Sequence, residues 1–284
     1  KVYNTKDIKA EKKNIIQLYE AVSVELGDTP FEIFYINMSP AARSPRWLVY
    51  KHEPVAHEAR YTCTEDIEKY LGISFDDNEF DPEELITAIE IVMPKLEKLY
   101  NSKVRHYVVK QHTLLVCRQF EKYAFELNTK VMNIDLMRLV LAMHDIGKAI
   151  DRATQHIYTQ SLIREFWSES PFTDYELKLV EALLKDDHLG KFFQGKYDCN
   201  MLQEEIKKDA EELQIDASCL LQLKMVLYQC DIASYTKDAG GLKYLEHMFV
   251  YENNKKTYNE ENRLLAMSAD YWSRYKQLKS LIYE

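Results

Sequence analysis

The chain has 284 residues, of which 46% are hydrophobic, and its formal net charge at pH 7 is −9. This length and hydrophobic content suffice for a substantial core, whereas the acidic balance excludes a protein that binds duplex nucleic acid through a basic surface. The longest apolar run is well short of the roughly 18 to 20 residues that a membrane span requires. Seven glycines and seven prolines are few for this length and predict long helices, because these residues interrupt regular structure.

The five cysteines form no CxxC pair. An odd number of thiols without metal-binding spacing favours reduced cysteines over a disulfide or zinc framework. We therefore predict a cytoplasmic protein that does not act at a membrane.

The first part of the chain predicts mixed secondary structure. Residues 7–26 show a helical pattern, and residues 31–63 contain the aromatic and β-branched runs "FEIFYINM" and "RWLVYKH", which predict two or three strands. The acidic segment "SFDDNEFDPEE" then predicts a loop, with Asp81 as the cap of a helix whose first residue is Pro82.

The rest of the chain follows the helical period. We therefore divide the protein into a small N-terminal α/β appendage, residues 1–84, and a helical domain, residues 85–284. Residues 131–146 are apolar nearly all round, which predicts a central buried helix. The predicted helices of this domain are 104–123, 131–146, 154–168, 173–187, 200–213, 217–236, 240–250 and 258–282.

Several imidazoles and carboxylates stand where an amphipathic helix should present apolar side chains. His112 lies in the middle of one apolar stripe, and Asp231 continues another. His144 and Asp145 stand side by side at the end of a long apolar run. An unpaired buried carboxylate costs several kcal/mol, whereas imidazoles and carboxylates together are natural ligands of a divalent cation.

His156 and His188 repeat this pattern, since one opens a helix and the other follows an apolar stripe. For either residue alone, a core histidine bonded to a backbone carbonyl is an equally good interpretation. For the His144–Asp145 pair the alternative is a buried ion pair, but the nearest preceding basic residue on that helix is Arg138. Considered together, the residues predict a metal site.

The order of these residues resembles a known family. His112, the His144–Asp145 pair and Asp231 are similar to the H…HD…D signature of the HD-domain superfamily of metal-dependent phosphohydrolases, and "HDIGK" is a typical form of its central motif. The resemblance covers approximately residues 90–250. It implies that the mostly α fold is an HD-type helical bundle, to which the N-terminal α/β appendage is added.

Two further histidines extend the resemblance to the H…HD…H…H…D form, which in this superfamily holds two metal ions. In members with two ions the last of these histidines is often doubled, whereas here Asp187 precedes His188. The resemblance thus implies one or two divalent ions, of Mn, Mg, Fe, Ni or Co, and leaves their number open. The implied ligands are His112, His144, Asp145, His156, His188 and Asp231.

The neighbours of the central motif suggest catalytic and substrate-binding roles. Asp145 is the candidate bridge between two ions, and metal coordination would lower the pKa of a shared water towards ~7. Lys148 follows Asp145 by three residues, so on a continuing helix it shares that face and can bind a phosphate oxygen. The alternative for Lys148 is a solvated lysine near a helix end. Arg152 is a weaker substrate-binding candidate, because a lone arginine beyond a helix end is usually exposed.

We therefore predict a metal-dependent phosphohydrolase or phosphodiesterase that acts on a small phosphorylated substrate, a nucleotide in the first instance, by attack of metal-activated water on phosphorus. Two alternatives stay open. One is an inositol-oxygenase-like enzyme, which would hold two irons with an equivalent set of residues. The other is a non-catalytic nucleotide-binding module. Neither duplex nucleic acid nor a membrane is an expected partner, and the sequence does not predict the oligomeric state.

Overall fold

A computed structural model describes the chain as two compact units, Lys1–Tyr61 and Thr62–Glu284. The division precedes the boundary that the sequence placed at residue 84, because the helix Thr64–Leu71 packs against the helix that begins at Pro82. The helix predicted over residues 7–26 lies outside the described residues. The structure describes residues 2–4, 31–36 and 46–51 by their backbone, and residues 61–76, 79–123, 132–237, 241, 245–259 and 261–283 in full.

The first unit contains a three-stranded antiparallel sheet in the order β1, β3, β2. Its strands are β1 (Val2–Asn4), β2 (Phe31–Ile36) and β3 (Arg46–Lys51). Two strands predicted within residues 31–63 are confirmed, and they coincide with the aromatic and β-branched runs. β1 has only three residues, which is too short for an alternating pattern to show in the sequence.

The second unit is helical, which confirms the mostly α fold class. In its described residues the helices are α1 (Thr64–Leu71), α2 (Pro82–Val92), α3 (Lys95–Tyr100), α4 (Val109–Tyr123), α5 (Ile134–Met143), α6 (Gln155–Ser168), α7 (Asp174–Leu184), α8 (His188–Phe193), α9 (Cys199–Leu213), α10 (Ala217–Ala233) and α11 (Ala269–Tyr283). Pairs of short strands form three hairpins, and these strands are β4 (Lys103–Val104), β5 (Tyr107–Val108), β6 (Tyr251–Glu252), β7 (Lys255–Lys256), β8 (Tyr258–Asn259) and β9 (Leu264–Leu265).

Helix α5 is the central buried helix that the sequence predicted. Every residue from Asp135 to Met143 is buried, and α4 packs against it while α10 packs on α4. Asn133 caps the N-terminus, with its side-chain oxygen accepting a hydrogen bond from the Leu136 N–H at 2.7 Å. This packing places the C-terminal end of α5 inside the helical core.

The predicted start of α2 is confirmed. The Asp81 carboxylate accepts a hydrogen bond from the Glu83 N–H at 2.9 Å, and Pro82 is the first residue of the helix. Proline fits this position because its missing N–H would have no partner inside the helix.

The predicted helix 240–250 is wrong, and the predicted helix 258–282 is confirmed only from Ala269 onward. Of residues 240–250, those described contain only the 3-10 turn Glu246–Met248, and α11 begins at Ala269 after the hairpins β6–β7 and β8–β9. Asn253 and Asn254 both adopt left-handed backbone conformations, with φ of 51° and 62°. Asparagine tolerates this conformation better than other side chains, so the "NN" pair, which lies between the two predicted helices, forms the turn of the β6–β7 hairpin.

The other composition-based predictions concern thiols and membranes. All five cysteines are free thiols, three of them buried. None of the helices in the described ranges has an apolar stretch sufficient to cross a bilayer.

Candidate metal centre

The His144–Asp145 pair stands at a change of backbone conformation. Helix α5 ends at Met143, His144 is its C-cap, and Asp145 has non-helical dihedrals with φ −115° and ψ 3°. Residues Ile146–Ala149 then form one 3-10 turn in place of the continued helix that the sequence predicted to residue 146. Side chains three residues apart eclipse each other in a 3-10 helix, so Lys148 still lies over Asp145.

Close packing against α6 holds this turn. The Gly147 N–H donates to Thr159 Oγ1 at 3.1 Å, and a Cβ on Gly147 would lie only 2.2 Å from the carbonyl oxygen of Gln155. Glycine is therefore required here by the close approach of the α6 backbone. The tight contact fixes the residue that precedes the turn, Asp145.

Four of the predicted ligands converge from three elements. Helix α4 supplies His112, the end of α5 supplies His144 and Asp145, and α10 supplies Asp231. His112 Nε2 lies 3.1 Å from Asp145 Oδ2 and 2.9 Å from Asp231 Oδ1. His144 Nε2 lies 3.4 Å and 3.8 Å from the same two oxygens. We call these residues the four-residue site; their ligand atoms all lie within 4.8 Å of one another.

These separations are those of donors around one cation. Two donors that each lie about 2.1 Å from an ion are about 3.0 Å apart at a right angle and about 3.4 Å apart at the tetrahedral angle. The nitrogen-to-oxygen distances run from 2.9 to 3.8 Å. Small side-chain movements therefore suffice to place all four donors on one ion.

Hydrogen bonds at the far side of each imidazole leave Nε2 free to be a ligand. His144 Nδ1 lies 2.6 Å from the Leu141 carbonyl oxygen, which only accepts, so Nδ1 carries a proton. His112 Nδ1 lies 3.2 Å from Ser234 Oγ, which donates its own proton to the Asp231 carbonyl oxygen and hence accepts from the ring. In a neutral ring with a protonated Nδ1 the lone pair is on Nε2, the atom that faces the carboxylates.

Two atoms of the four-residue site are buried without a hydrogen bond among the described residues. They are His144 Nε2 and Asp231 Oδ1. The latter is 2.9 Å from His112 Nε2, yet the two atoms lack the alignment of a hydrogen bond. Buried polar atoms are costly when unpaired. A cation would satisfy both, so the residues present fit a metal ion.

In the absence of a cation, protonated histidines balance the negative charge of the carboxylates in the four-residue site. Burial alone would lower the pKa of His144, but the interactions with Asp145 and Asp231 together outweigh burial and raise the pKa to about 10. Burial likewise opposes the raised pKa of His112, which the nearby Asp145 and Asp231 carboxylates maintain. Burial would raise the pKa of Asp145, but the His144 and Lys148 charges hold it well below its usual range. A bound cation would replace the imidazole protons.

Lys148 and two tyrosines surround the site. Lys148 Nζ donates to Asp145 Oδ2, and its side chain is only 13% exposed, unlike that of a solvated lysine. The Tyr235 ring stacks on His112 with centroids 4.7 Å apart, and its hydroxyl lies 3.3 Å from His112 Nε2. The Tyr107 ring is 5.1 Å from the same imidazole. These groups bring one positive charge and two phenols to the metal-facing side.

A cavity of about 160 Å³ opens beside the site and is lined by His144, Asp145, Asp231, Lys148 and His156 among others. His156 is half-buried near the start of α6, and burial lowers its pKa although nearby carboxylates oppose the shift. It faces the cavity without belonging to the four-residue site. Arg152 is exposed in the loop before α6, outside the cavity lining.

His188 belongs to a different group. Its Nδ1 lies 2.8 Å from Glu205 Oε2 and 3.5 Å from Asp186 Oδ2. The structure thus brings together four of the six predicted ligands, leaves His156 on the cavity wall, and gives His188 other partners. It does not assemble a second ion position around Asp145 with both additional histidines.

Sequence reasoning missed the supporting residues of the site. Ser234 and Tyr235 follow Asp231 by three and four residues, and this spacing at the end of a helix could have indicated them. Glu205 offered no such signal, because it lies on another helix, 17 residues from His188. Tyr107 offered none because it lies in a short strand just before α4, outside the helical spacing.

Comparison with known proteins assigns the chain to no family. No protein-family model matches the chain, and no curated protein matches it. The function is therefore argued from the residues and their geometry.

Proposed function

We propose that the chain is a metal-dependent phosphohydrolase or phosphodiesterase of the HD type that acts on a small phosphorylated molecule, with nucleotides as the first substrate class to test. The observation that carries the proposal is the convergence of two imidazole Nε2 atoms and two carboxylates on one point beside a cavity. Lys148 lines the same cavity, so a phosphate group inside it can meet both a cation and an ammonium group.

The donor set supports a borderline divalent cation. Imidazole and carboxylate together suit Mn, Fe, Co or Ni, whereas Mg prefers oxygen ligands alone. A divalent cation bound there supplies a water of lowered pKa and positive charge for the phosphoryl oxygens. His112, His144, Asp145 and Asp231 would hold the ion, and coordination positions that they leave open would accept water or substrate.

The chain's own residues contribute charge and position. Asp186 and Asp187 add negative charge to the cavity lining, so an anionic substrate enters only when positive charge balances them. Lys148 can exchange its bond with Asp145 for a phosphate oxygen once a cation neutralises that carboxylate. His156 is neutral at pH 7 because its pKa is lowered, and it lines the same cavity, where it can hydrogen-bond to the substrate.

A substrate screen tests the proposal. The protein is loaded separately with Mn²⁺, Mg²⁺, Fe²⁺, Co²⁺ or Ni²⁺ and incubated with nucleotides, cyclic nucleotides and sugar phosphates, while product formation and phosphate release are measured. We expect hydrolysis of at least one class, abolished by chelation and by Asp145→Asn.

The same screen, with oxygen consumption and nucleotide binding measured in addition, distinguishes the two alternative functions. Oxygen consumption by the Fe²⁺-loaded protein without hydrolysis would assign an oxygenase. Nucleotide binding without turnover by any metal form would assign a binding module. Absence of metal binding at the four-residue site would overturn the proposal altogether.

A further inference from the structure

A second group of metal-type donors lies outside the four-residue site. Asp186 precedes α8, His188 is the first residue of α8, and Glu205 lies in α9; we call these three residues the Asp186 cluster. Their ligand atoms all lie within 4.8 Å of one another. Apart from the charge that Asp186 adds to the cavity lining, the proposed hydrolysis gives the cluster no part, so its role requires a separate explanation.

The cluster has the spacing of ligands on one ion. His188 Nδ1 is 2.8 Å from Glu205 Oε2 and 3.5 Å from Asp186 Oδ2. Adjacent donors on an ion at about 2.1 Å are about 3.0 to 3.4 Å apart, so both distances are close to this range. One imidazole and two carboxylates form a donor set that Zn²⁺ and Mn²⁺ accept.

Neighbouring groups hold the three ligands in place. The Tyr197 hydroxyl donates to Glu205 Oε1 at 2.5 Å, and its ring stacks on His188 with centroids 4.2 Å apart and planes inclined by 10°. The His188 backbone N–H donates to Asp186 Oδ1 at 2.9 Å. Each carboxylate therefore has one oxygen bonded by a fixed partner and the other oxygen near His188 Nδ1, the arrangement of supported metal ligands.

The nearby lysines balance the charge of the cluster only in part. In the part of the chain that the structure describes, neither Asp186 nor Glu205 has a lysine or arginine nitrogen within 4.0 Å. Lys185 is paired with Asp209 at 2.6 Å. Lys224 donates to the Ala182 carbonyl oxygen at 2.5 Å, and its charge is shared among Asp186, Asp209 and Glu205. Two half-buried carboxylates thus face one imidazole, which leaves negative charge for a cation to neutralise.

An ion could reach the cluster from solvent. Asp186 and Glu205 line the cavity of the four-residue site and also a second, outer pocket to which His188 contributes. The cluster therefore lies in the partition between the two. An ion bound there would join the α7–α8 connection to α9 and so fix one wall of the cavity.

We infer that Asp186, His188 and Glu205 form a second divalent-cation site, independent of the four-residue site and taking Zn²⁺ or Mn²⁺. The rival explanation is an ion pair between His188 and Glu205 that binds no metal. The inference does not rest on the proposed hydrolysis, because a cation that fixes the cavity wall is compatible with any reaction in the cavity.

Metal counting with Zn²⁺ tests the inference. The metal-free full chain is dialysed against Zn²⁺ at pH 7.5, and bound zinc is measured by mass spectrometry together with the thermal shift that zinc causes. We expect two ions in the wild type, one in Glu205→Gln and one in Asp145→Asn. Glu204→Gln, an exposed neighbour on α9, is the matched control and should keep two.

Each outcome decides the inference. If the wild type binds one ion and only Asp145→Asn removes it, the Asp186 cluster is not a metal site, and the four-residue site is supported. Two ions in Glu205→Gln would also overturn it. If the wild type binds one ion and only Glu205→Gln removes it, the Asp186 cluster is supported as a metal site. That result would refute the four-residue site, on which the proposed function depends. Circular dichroism of the metal-free variants checks their folding, and Tyr197→Phe, which removes the bond to Glu205 but keeps the ring, should weaken the second ion without removing the first.

Discussion

Each imidazole of the four-residue site is oriented by an acceptor at its Nδ1. For His144 the acceptor is a backbone carbonyl, and for His112 it is the hydroxyl of Ser234, which is itself bonded to the Asp231 carbonyl oxygen. Such partners determine which ring nitrogen carries the proton and raise the basicity of the other. Ser234 is therefore the supporting residue whose removal is most informative.

We expect Ser234→Ala to lower the metal affinity of the four-residue site by about 10-fold or more, because His112 would lose the acceptor that fixes its tautomer. Isothermal titration with Mn²⁺ measures the change. Ser280→Ala is the control, since Ser280 is exposed and its hydroxyl bonds a carbonyl three residues earlier in the same way. Equal affinities of the two variants would refute the role of Ser234.

Lys148 is the residue on which phosphate recognition can be tested separately from metal binding. We expect Lys148→Ala to reduce kcat/KM by about 10- to 100-fold, because a charge-assisted hydrogen bond to phosphate contributes about 1.5–3 kcal/mol. Bound metal should not decrease, since Lys148 is not a ligand and its removal leaves Asp145 more available. Steady-state kinetics and metal counting give the two readouts, with the exposed Lys276→Ala as control. Unchanged kinetics would limit Lys148 to a counter-charge for Asp145.

At the scale of elements, the site depends on how α5 ends. The helix stops at Met143, and a 3-10 turn that packs against α6 follows Asp145 at once. This packing tolerates no side chain at Gly147, because the Gln155 carbonyl oxygen and Thr159 Oγ1 would lie 2.2 and 2.6 Å from a Cβ. The geometry of the ligands is therefore linked to the contact between the turn and α6.

We expect Gly147→Ala to destabilise the protein by about 1–3 kcal/mol, the usual cost of overpacking, and also to weaken metal binding by displacing Asp145. Gly72→Ala is an informative comparison. Gly72 has open space but a φ of 72°, so alanine there is strained by about 1–2 kcal/mol far from the site. Thermal melts and Mn²⁺ titrations should show two destabilised variants, of which only Gly147→Ala has lost metal affinity. An unchanged metal affinity of Gly147→Ala would show that the packing of the turn against α6 does not control the position of Asp145.

For the whole molecule, the protons of the four-residue site make stability depend on pH. The folded-state pKa of His144 is about 10, against about 6.5 in an unfolded chain. A raised pKa stabilises the folded state fully below about pH 6.5, and this contribution disappears as pH rises towards 10. Metal affinity should change in the opposite direction, because protons and the cation compete for the imidazoles.

We therefore expect the free energy of unfolding of the metal-free protein to fall between pH 6.5 and pH 10 relative to that of His144→Gln. Urea titrations in the presence of a chelator measure this difference at each pH. Over the same interval the wild type should bind Mn²⁺ more tightly as pH rises. Parallel stability curves for the wild type and His144→Gln would contradict the assignment of a protonated His144.

Much of the metal centre was predictable at the level of single positions. A histidine or aspartate inside an apolar helical stripe must be buried, so the periodicity of α4 and α10 and the apolar run of α5 indicated His112, Asp231 and the His144–Asp145 pair. The mostly helical fold followed from the same periodicity. The hairpins before α11 were not predicted, because strands of two residues are too short for an alternating pattern to show.

The sequence by itself thus determined the fold class and indicated six inward-facing positions, of which His112, His144, Asp145 and Asp231 converge, since helical spacing is a local property. Tertiary structure decided which buried groups meet. His188 has the same kind of pattern as His112, yet α9 brings Glu205 to it and so assigns it to a separate cluster. Spacing along one helix cannot reveal this, because the partners of a side chain depend on which helices pack together.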